Sequence, residues 1–166
     1  MNEILTETER LKIVSIGIDD TDLLFQLTSN ADVMKFFPKI LNHLETTEMV
    51  CKIMEHYKKY GHSFWKLLSK KDEQFIGITG LLHQDIEDQE ETEISYRIIR
   101  EHWNNGYATE AAKACREYAQ SALGKKRLIS LILPENIASI RVAQKLGAQK
   151  ERSVLFNGKY HDVFLY

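Results

Sequence analysis

Apolar and polar positions alternate over residues 10–16 (RLKIVSI), which predicts a first strand. Asp19, Asp20 and Thr21 then offer N-cap side chains to a helix carried by Leu23, Leu24 and Leu27, and the pattern fades at Ser29 and Asn30. Residues 32–42, with Phe36, Phe37 and Pro38, predict a short helix and an irregular loop. A second helix starts at Thr46 or Thr47, sets Met49, Val50, Ile53, Met54 and Tyr57 at helical spacing, and closes on Gly61. Residues 63–68 (SFWKLL) predict a strand and residues 70–73 a hairpin turn. Residues 74–83 predict another strand, whose Gly77 and Gly80 point to a bulge or close packing. Residues 85–91 form an acidic loop.

The next stretch is the one around which the rest is organised. From Glu93 the chain alternates as a strand, and from Ala108 the period changes. Ala108, Ala111, Ala112, Cys115, Tyr118, Ala119 and Ala122 then share one helical face, ending at Gly124. Asn104, Asn105 and Gly106 form the turn between them. A strand turning sharply into a helix gathers unpaired N–H groups and the positive end of a helix dipole, a generic site for phosphate. Residues 126–133 hold a nearly continuous apolar run typical of a strand buried on both faces. Pro134, Glu135 and Asn136 break it and cap a helix through Ile137, Ile140, Val142, Ala143 and Leu146, stopped by Gly147. A hairpin of residues 149–156 and 160–166 closes the chain, with Asn157-Gly158 suited to a type I′ turn. The order β-α-α-β-β-β-α-β-α-β-β describes an α/β (α+β) domain with a mixed sheet.

Composition narrows the class. The 166 residues suit one domain with a substantial core. A net charge of -2 and a pI of about 6.3 argue against a polyanionic partner, so no nucleic acid is expected. No charged-then-apolar leader opens the chain and no run approaches bilayer length, so the expected setting is cytoplasmic, with no membrane association. The two cysteines, Cys51 and Cys115, have no metal-ligand spacing, and no two histidines sit at ligand spacing on a helix, so no metal is expected. Monomer and homodimer both fit.

The turn lacks the Lys-Ser/Thr pair of a Walker loop and the three glycines of a Rossmann fingerprint. Read alone, it fits an ordinary turn as well as a diphosphate cradle. Residues 96–112 (YRIIREHWNNGYATEAA), however, resemble the acetyl-CoA motif of the GNAT superfamily of N-acetyltransferases, in particular its RimJ/RimL-like branch of ribosomal-protein alanine acetyltransferases. Two further stretches match in register. Pro134-Glu135-Asn136-Ile137-Ala138-Ser139 with Lys145-Leu146-Gly147-Ala148 is similar to the branch's Asn-x-x-Ser…Lys-Leu-Gly-Phe motif, and residues 157–162 are similar to its terminal hairpin. The resemblance implies a single GNAT domain over residues 1–166. It also implies a central, mostly antiparallel sheet of about seven strands with four helices, and acetyl-CoA as co-substrate without a metal. The chain departs from the motif at Trp103 and Asn104, and Ala143 stands where many members carry a tyrosine acid.

The resemblance also implies roles. Backbone groups of Tyr96, Arg97 and Ile98 would pair with pantetheine, and one N–H could polarise the thioester oxygen. Asn104, Asn105, Gly106, Tyr107, Ala108 and Thr109 would cradle the diphosphate through their backbone, with Arg100 adding charge. Asn136 is either a cofactor ligand or only an N-cap. Ser139 could contact pantetheine or protonate the departing thiolate. Glu93 is the candidate base, its alternative being a solvated residue at the end of the acidic loop. An alkylammonium of pKa near 10 is deprotonated at neutrality at a cost of roughly 4 kcal/mol, which a positioned base helps supply. Trp103 is expected to pack under the loop, Glu110 to complement the helix dipole, and Cys115 to sit in the core rather than act as a nucleophile. The acidic loop, with Asp85, Glu87, Asp88, Glu90 and Glu91, is a candidate attractor of a cationic acceptor. The expected reaction is acetyl transfer from acetyl-CoA to a primary amine, a protein N-terminus or a small molecule, by direct attack in a ternary complex. The alternatives are a catalytically silent acyl-CoA sensor and a nucleotide-binding α/β protein.

Overall fold

The computed structural model describes residues 3–166. Its elements run β1 (Ile4–Glu7), β2 (Leu11–Ser15), α1 (Thr21–Thr28), α2 (His43–Tyr60), β3 (Phe64–Ser69), β4 (Phe75–Ile86), β5 (Gln89–Ile98), α3 (Tyr107–Ser121), β6 (Ile129–Ile132), α4 (Ile137–Lys145), β7 (Gln149–Phe156) and β8 (Lys159–Leu165). The eight strands form one sheet in the order β1-β2-β3-β4-β5-β6-β8-β7. Every neighbouring pair is antiparallel except β5 and β6.

Helices cover both faces. On one, Leu24 and Leu27 of α1 and Val50 and Ile53 of α2 bury against Phe64 and Ile78. On the other, Ala111, Ala112, Cys115 and Ala119 of α3 pack on Leu81, Ile94 and Ile98. The small side chains of α3 let its backbone lie close to the sheet, so the position of its N-terminus is set by the sheet. A buried ion pair ties the first helix to the sheet: Lys66 Nζ donates to Asp20 Oδ1 at 2.5 Å, with both residues buried.

Gly77 and Gly80 are required by close approach. A Cβ at Gly77 would lie 2.2 Å from the Arg97 carbonyl oxygen, and one at Gly80 would lie 2.4 Å from the Ser63 carbonyl oxygen. The β3–β4 register shifts between Leu67 and Leu68, beside Gly77, as the glycine pattern predicts.

Four details differ from the sequence reading. A short strand, β1, precedes the first predicted one and brings the count to eight rather than about seven. Residues 32–42 form turns with no helix. The second helix begins earlier, at His43, because Asn42 and Glu45 make a reciprocal capping box. The Asn42 side chain accepts from the Glu45 N–H at 2.9 Å, and the Glu45 carboxylate accepts from the Asn42 N–H at 2.8 Å. Residues 85–91 are no loop: they complete the long β4–β5 hairpin, turned by Glu87 and Asp88 at φ of 51° and 63°. The terminal turn matches its dipeptide, with Asn157 and Gly158 at φ of 49° and 76°.

Candidate active site

The sheet is open at its parallel seam. β5 and β6 are paired only at Glu93 and Ile129, and beyond that point the strands part. The Ile94 carbonyl accepts from Ser130 Oγ at 2.7 Å, and that hydroxyl also meets Tyr166 Oη at 2.9 Å. Backbone direction alternates along a strand, so the peptide groups of Tyr96 and Ile98 face the same opening as those of Ile94. The Ile98 carbonyl is already occupied by Trp103 Nε1 at 2.8 Å, leaving its N–H and both groups of Tyr96 for an extended ligand. The peptide of Arg97 turns the other way, toward β4, in phase with the Ile99 N–H that donates to the Ile76 carbonyl at 2.9 Å.

The seam continues into a pocket of about 390 Å³. Its lining brings together Glu93, Tyr96 and Arg97 of β5, Asn136 before α4 and Ser139 within it, aromatic side chains of residues 36–37, and the β7–β8 hairpin. Glu93 is 8% exposed and is the sole carboxylate in that lining. Burial raises its pKa to about 7, against the opposing effects of the Gln84 amide, which donates at 2.7 Å, the Leu131 backbone and the Arg97 charge. A carboxyl poised near neutrality takes and returns protons with little cost either way.

Asn136 caps α4, its Oδ1 accepting from the Ser139 N–H at 3.2 Å. Its amide nitrogen has no partner among the described residues and remains able to donate into the pocket. The Ser139 carbonyl accepts from Tyr96 Oη at 3.4 Å, and burial pushes that phenol well above the ordinary tyrosine range.

The turn before α3 lies outside this pocket. Asn104 and Gly106 adopt left-handed φ of 61° and 80°, and no side chain caps the helix. The first-turn N–H groups are therefore without a side-chain acceptor, the arrangement an anion can satisfy. Arg10, from the β1–β2 connection, holds the turn in place. Its Nη1 donates to the Asn105 carbonyl at 2.9 Å, its Nε to Glu110 Oε2 at 2.7 Å, and its guanidinium lies 4.5 Å from the Tyr107 ring centroid. The Thr8 hydroxyl donates to Glu110 Oε1 at 2.5 Å. Burial acts to raise the Glu110 pKa, but these donors and the Arg10 charge outweigh it, and the net direction is down. Arg100 faces Asp32 at 3.4 Å and stacks on Trp103 at 4.6 Å, so it braces the loop behind the turn.

Two further expectations resolve. Cys115 is buried beside the Thr79 hydroxyl at 3.3 Å, and burial pushes its thiol up to about 12, which keeps it protonated and unreactive at neutrality. Two of the five acids of that stretch, Glu87 and Glu91, are paired with arginines. Glu91 is gripped by the Arg127 guanidinium at 2.9 Å, Arg152 reaches both Glu87 and Glu91 at 3.6 Å, and His83 faces Asp85 at 3.6 Å. Ligand atoms of His83, Asp85 and Glu90 lie within 4.8 Å of one another; the hairpin creates this cluster across strands, where helical spacing gave no sign of it. Sequence reasoning also passed over Gln84, Arg10 and the Arg97 side chain. Only Arg97 carried a usable signal, the alternation that puts it on the face of Glu93 and Ser95.

An antiparallel sheet parted at one parallel seam, with a strand-turn-helix beside the opening, defines an acyltransferase of the N-acetyltransferase class. The chain belongs to the GNAT family: residues 10–149 match the acetyltransferase (GNAT) domain. It is 36% identical over 148 residues to the uncharacterized protein YkkB of Bacillus subtilis, covering 89% of this chain and 86% of that one. It is 30% identical over 170 residues to the uncharacterized N-acetyltransferase YoaA of the same organism, covering 98% and 94%. In structure it is similar to RimL, a ribosomal L7/L12 α-N-protein acetyltransferase solved with coenzyme A. The TM-score is 0.80 at 18% identity, covering 99% of this chain and 96% of RimL. The class is therefore that of acetyl-CoA-dependent N-acetyltransferases. No helix among the described residues is long and apolar enough to cross a membrane.

Proposed function

We propose that the protein transfers the acetyl group of acetyl-CoA to a primary amine by direct attack in a ternary complex, within one GNAT domain spanning the chain. The observation that carries this reading is Glu93, a buried carboxyl titrating near neutrality at the point where the seam begins. In this mechanism the acceptor ammonium gives a proton to Glu93, directly or through a water. The free amine then attacks the thioester carbonyl, forming the C–N bond, and the developing oxyanion accepts from a β5 N–H. As the tetrahedral adduct collapses, its nitrogen sheds its second proton to solvent, the C–S bond breaks and CoA leaves as thiolate, a good leaving group that needs only a weak acid. Ser139 is the proposed donor, resupplied by solvent.

The open peptide groups of Tyr96 and Ile98 support pairing with pantetheine, whereas those of Arg97 face β4. The uncapped N-terminus of α3 supports diphosphate binding by the backbone of Asn104, Asn105, Gly106, Tyr107, Ala108 and Thr109. The free amide nitrogen of Asn136 supports a further donor to the co-substrate. Cys115 offers no acyl-enzyme route, because its thiol is buried and protonated.

The test is thiol release from acetyl-CoA with a panel of amines, on the wild type and Glu93→Gln. Amine-dependent release that Glu93→Gln depresses supports the reading. Acetyl-CoA binding without any amine-dependent release reassigns the chain as an acyl-CoA sensor. Stronger thermal protection by ATP or NAD than by acetyl-CoA turns it into a nucleotide-binding protein.

A further inference from the structure

Arg97 is a charged side chain inside the pocket with nothing charged to hold. Its Nε is buried and lacks a hydrogen-bond partner, and its Nη1 meets only the thioether sulfurs of Met34 and Met49, at 3.9 and 3.8 Å. The guanidinium carbon lies 3.8 Å from the Phe37 ring centroid and 5.7 Å from that of Phe64. Among the described residues no carboxylate comes within ion-pairing distance of it. The contrast with other cations of the fold is sharp: Lys66 is paired with Asp20, and Arg127 with Glu91 and Glu151.

An arginine walled by aromatic rings and thioethers is costly to keep charged, because a desolvated cation needs a counter-ion or several strong acceptors. Burial does lower its pKa, to about 10, yet at neutral pH it is still a cation. Guanidinium groups present a planar fork that matches a carboxylate in a two-point contact. The rings of Phe37 and Phe64 hold that fork in one orientation, which is what preorganised anion recognition needs.

Position makes the vacant fork relevant to the acceptor. Strand side chains alternate, so Glu93, Ser95 and Arg97 project to one face of β5, over a span of about 13 Å between the outer two Cα atoms. That face is the one opposite α3, and it lines the pocket beneath residues 36–38. The charges around the pocket favour an anion too. Lys159 is the other lining cation, His161 stands near it, and Glu93 is the lone acid.

We infer that Arg97 is a specificity-determining residue that receives a carboxylate of the acceptor, so that the substrate is a small amine carrying a carboxylate, an amino acid, rather than a polyamine or another polycation. This inference rests on the acetyltransferase reading for the amine end and names the other end of the same molecule. The acceptor's amine lies toward Glu93 and the thioester, and its carboxylate accepts two N–H donors from the guanidinium between the rings. Polycations are disfavoured because Arg97 and Lys159 repel them where the only compensating acid is Glu93, which is half neutral near pH 7.

The experiment compares matched acceptors. Glycine, β-alanine and γ-aminobutyrate are each set against their primary amides, with spermidine as the polycation, in thiol release from acetyl-CoA. The wild type is expected to favour at least one acid over its amide by about 10- to 100-fold in kcat/KM, the range of a strong charge-assisted contact. In Arg97→Met, whose side chain suits the Met34 and Met49 surroundings, that ratio falls to about one, and Arg97→Lys restores part of it. A second readout needs no turnover. Calorimetry in the presence of CoA compares N-acetyl-β-alanine and N-acetyl-γ-aminobutyrate with their amides. Carboxylate-selective binding that Arg97→Met removes upholds the inference even if no amine is acetylated, in which case the acetyltransferase reading alone fails. Equal use and equal binding of acid and amide by the wild type overturn the inference, as does a preference that survives in Arg97→Met. If Arg97→Met does not fold, Arg97→Lys carries the same comparison, and an acid-to-amide ratio unchanged from the wild type overturns the inference.

Discussion

Glu93 pairs with Ile129 at the single point where β5 and β6 meet, so the residue best suited to proton transfer is also the last one before the sheet opens. The pairing fixes its backbone while burial sets its acidity. The carboxyl must be ionised to accept a proton, and its pKa of about 7 sits above the ordinary carboxylate value. With acetyl-CoA and an amine, kcat/KM should therefore rise with pH through about 7. Glu93→Gln is expected to lose that inflection and to fall by about 10²- to 10⁴-fold, the usual span for a general base. An unchanged inflection in the variant assigns the titration to another group.

The same shift makes folding stability depend on pH. The folded state holds the Glu93 proton more tightly than the unfolded chain, so this contribution is complete below pH 4.5 and is lost as the pH rises to about 7. At 1.36 kcal/mol per pH unit the loss is about 3 kcal/mol. Urea denaturation at a series of pH values should show this downward component in the wild type over that window, set against an upward one from His62, whose pKa burial lowers. Glu93→Gln should flatten it by an amount of that order.

Arg10 is bound to the turn and to the first turn of α3, through the Asn105 carbonyl and the Glu110 carboxylate. Arg10→Met removes both links and leaves the pocket lining untouched. The expected outcome is a KM for acetyl-CoA raised by about tenfold, consistent with loss of one to two charge-assisted hydrogen bonds that preorganise the turn. The pH inflection should stay where it is. A raised KM for the amine instead means that the turn serves the acceptor.

Legibility in the sequence followed locality. The terminal hairpin was readable because Asn157-Gly158 demands positive φ at adjacent residues, a purely local constraint. The α3 face was readable from its alanines, and the strand-turn-helix from a change of period. β1 was missed because four residues on a sheet edge, two of them exposed, carry almost no alternation. Residues 85–91 read as a loop because their acids looked solvated. Glu91 is in fact neutralised by Arg127, 36 positions away, a pairing no local pattern announces. The pocket gathers Glu93, Asn136 and Ser139, which the family resemblance had already singled out. The family resemblance points to Arg97 only through its peptide groups. Those face β4, and it is the side chain that enters the pocket.

Cysteine chemistry separates direct transfer from an acyl-enzyme. Cys51 is exposed and Cys115 buried, its thiol held up at about 12 by burial. Iodoacetamide on the native protein should label Cys51 alone, as mass spectrometry of the digest would reveal. Cys115→Ala should keep turnover within about threefold and cost about 1 kcal/mol of stability through the small cavity it leaves. A burst of acetylated Cys115 with acetyl-CoA alone would contradict the ternary-complex route.

The buried Lys66–Asp20 pair yields the largest predicted loss of stability. Lys66 is 2% exposed, Asp20 is 6% exposed, and Asp20 also accepts from the Gly17 N–H at 2.9 Å, so the carboxylate fastens the start of α1 to β3. Asp20→Asn, one single variant of a cycle completed by Lys66→Met, leaves a buried ammonium without its counter-charge, and a cost of about 3–5 kcal/mol is expected in chemical denaturation. Removing both charges relieves most of that penalty. Asp20→Asn with Lys66→Met keeps the cap to Gly17 and fills the space with an apolar chain, so it should recover more than half of the loss. The double-mutant cycle is the decisive measurement, because a pair that contributed only packing would give additive losses with no recovery.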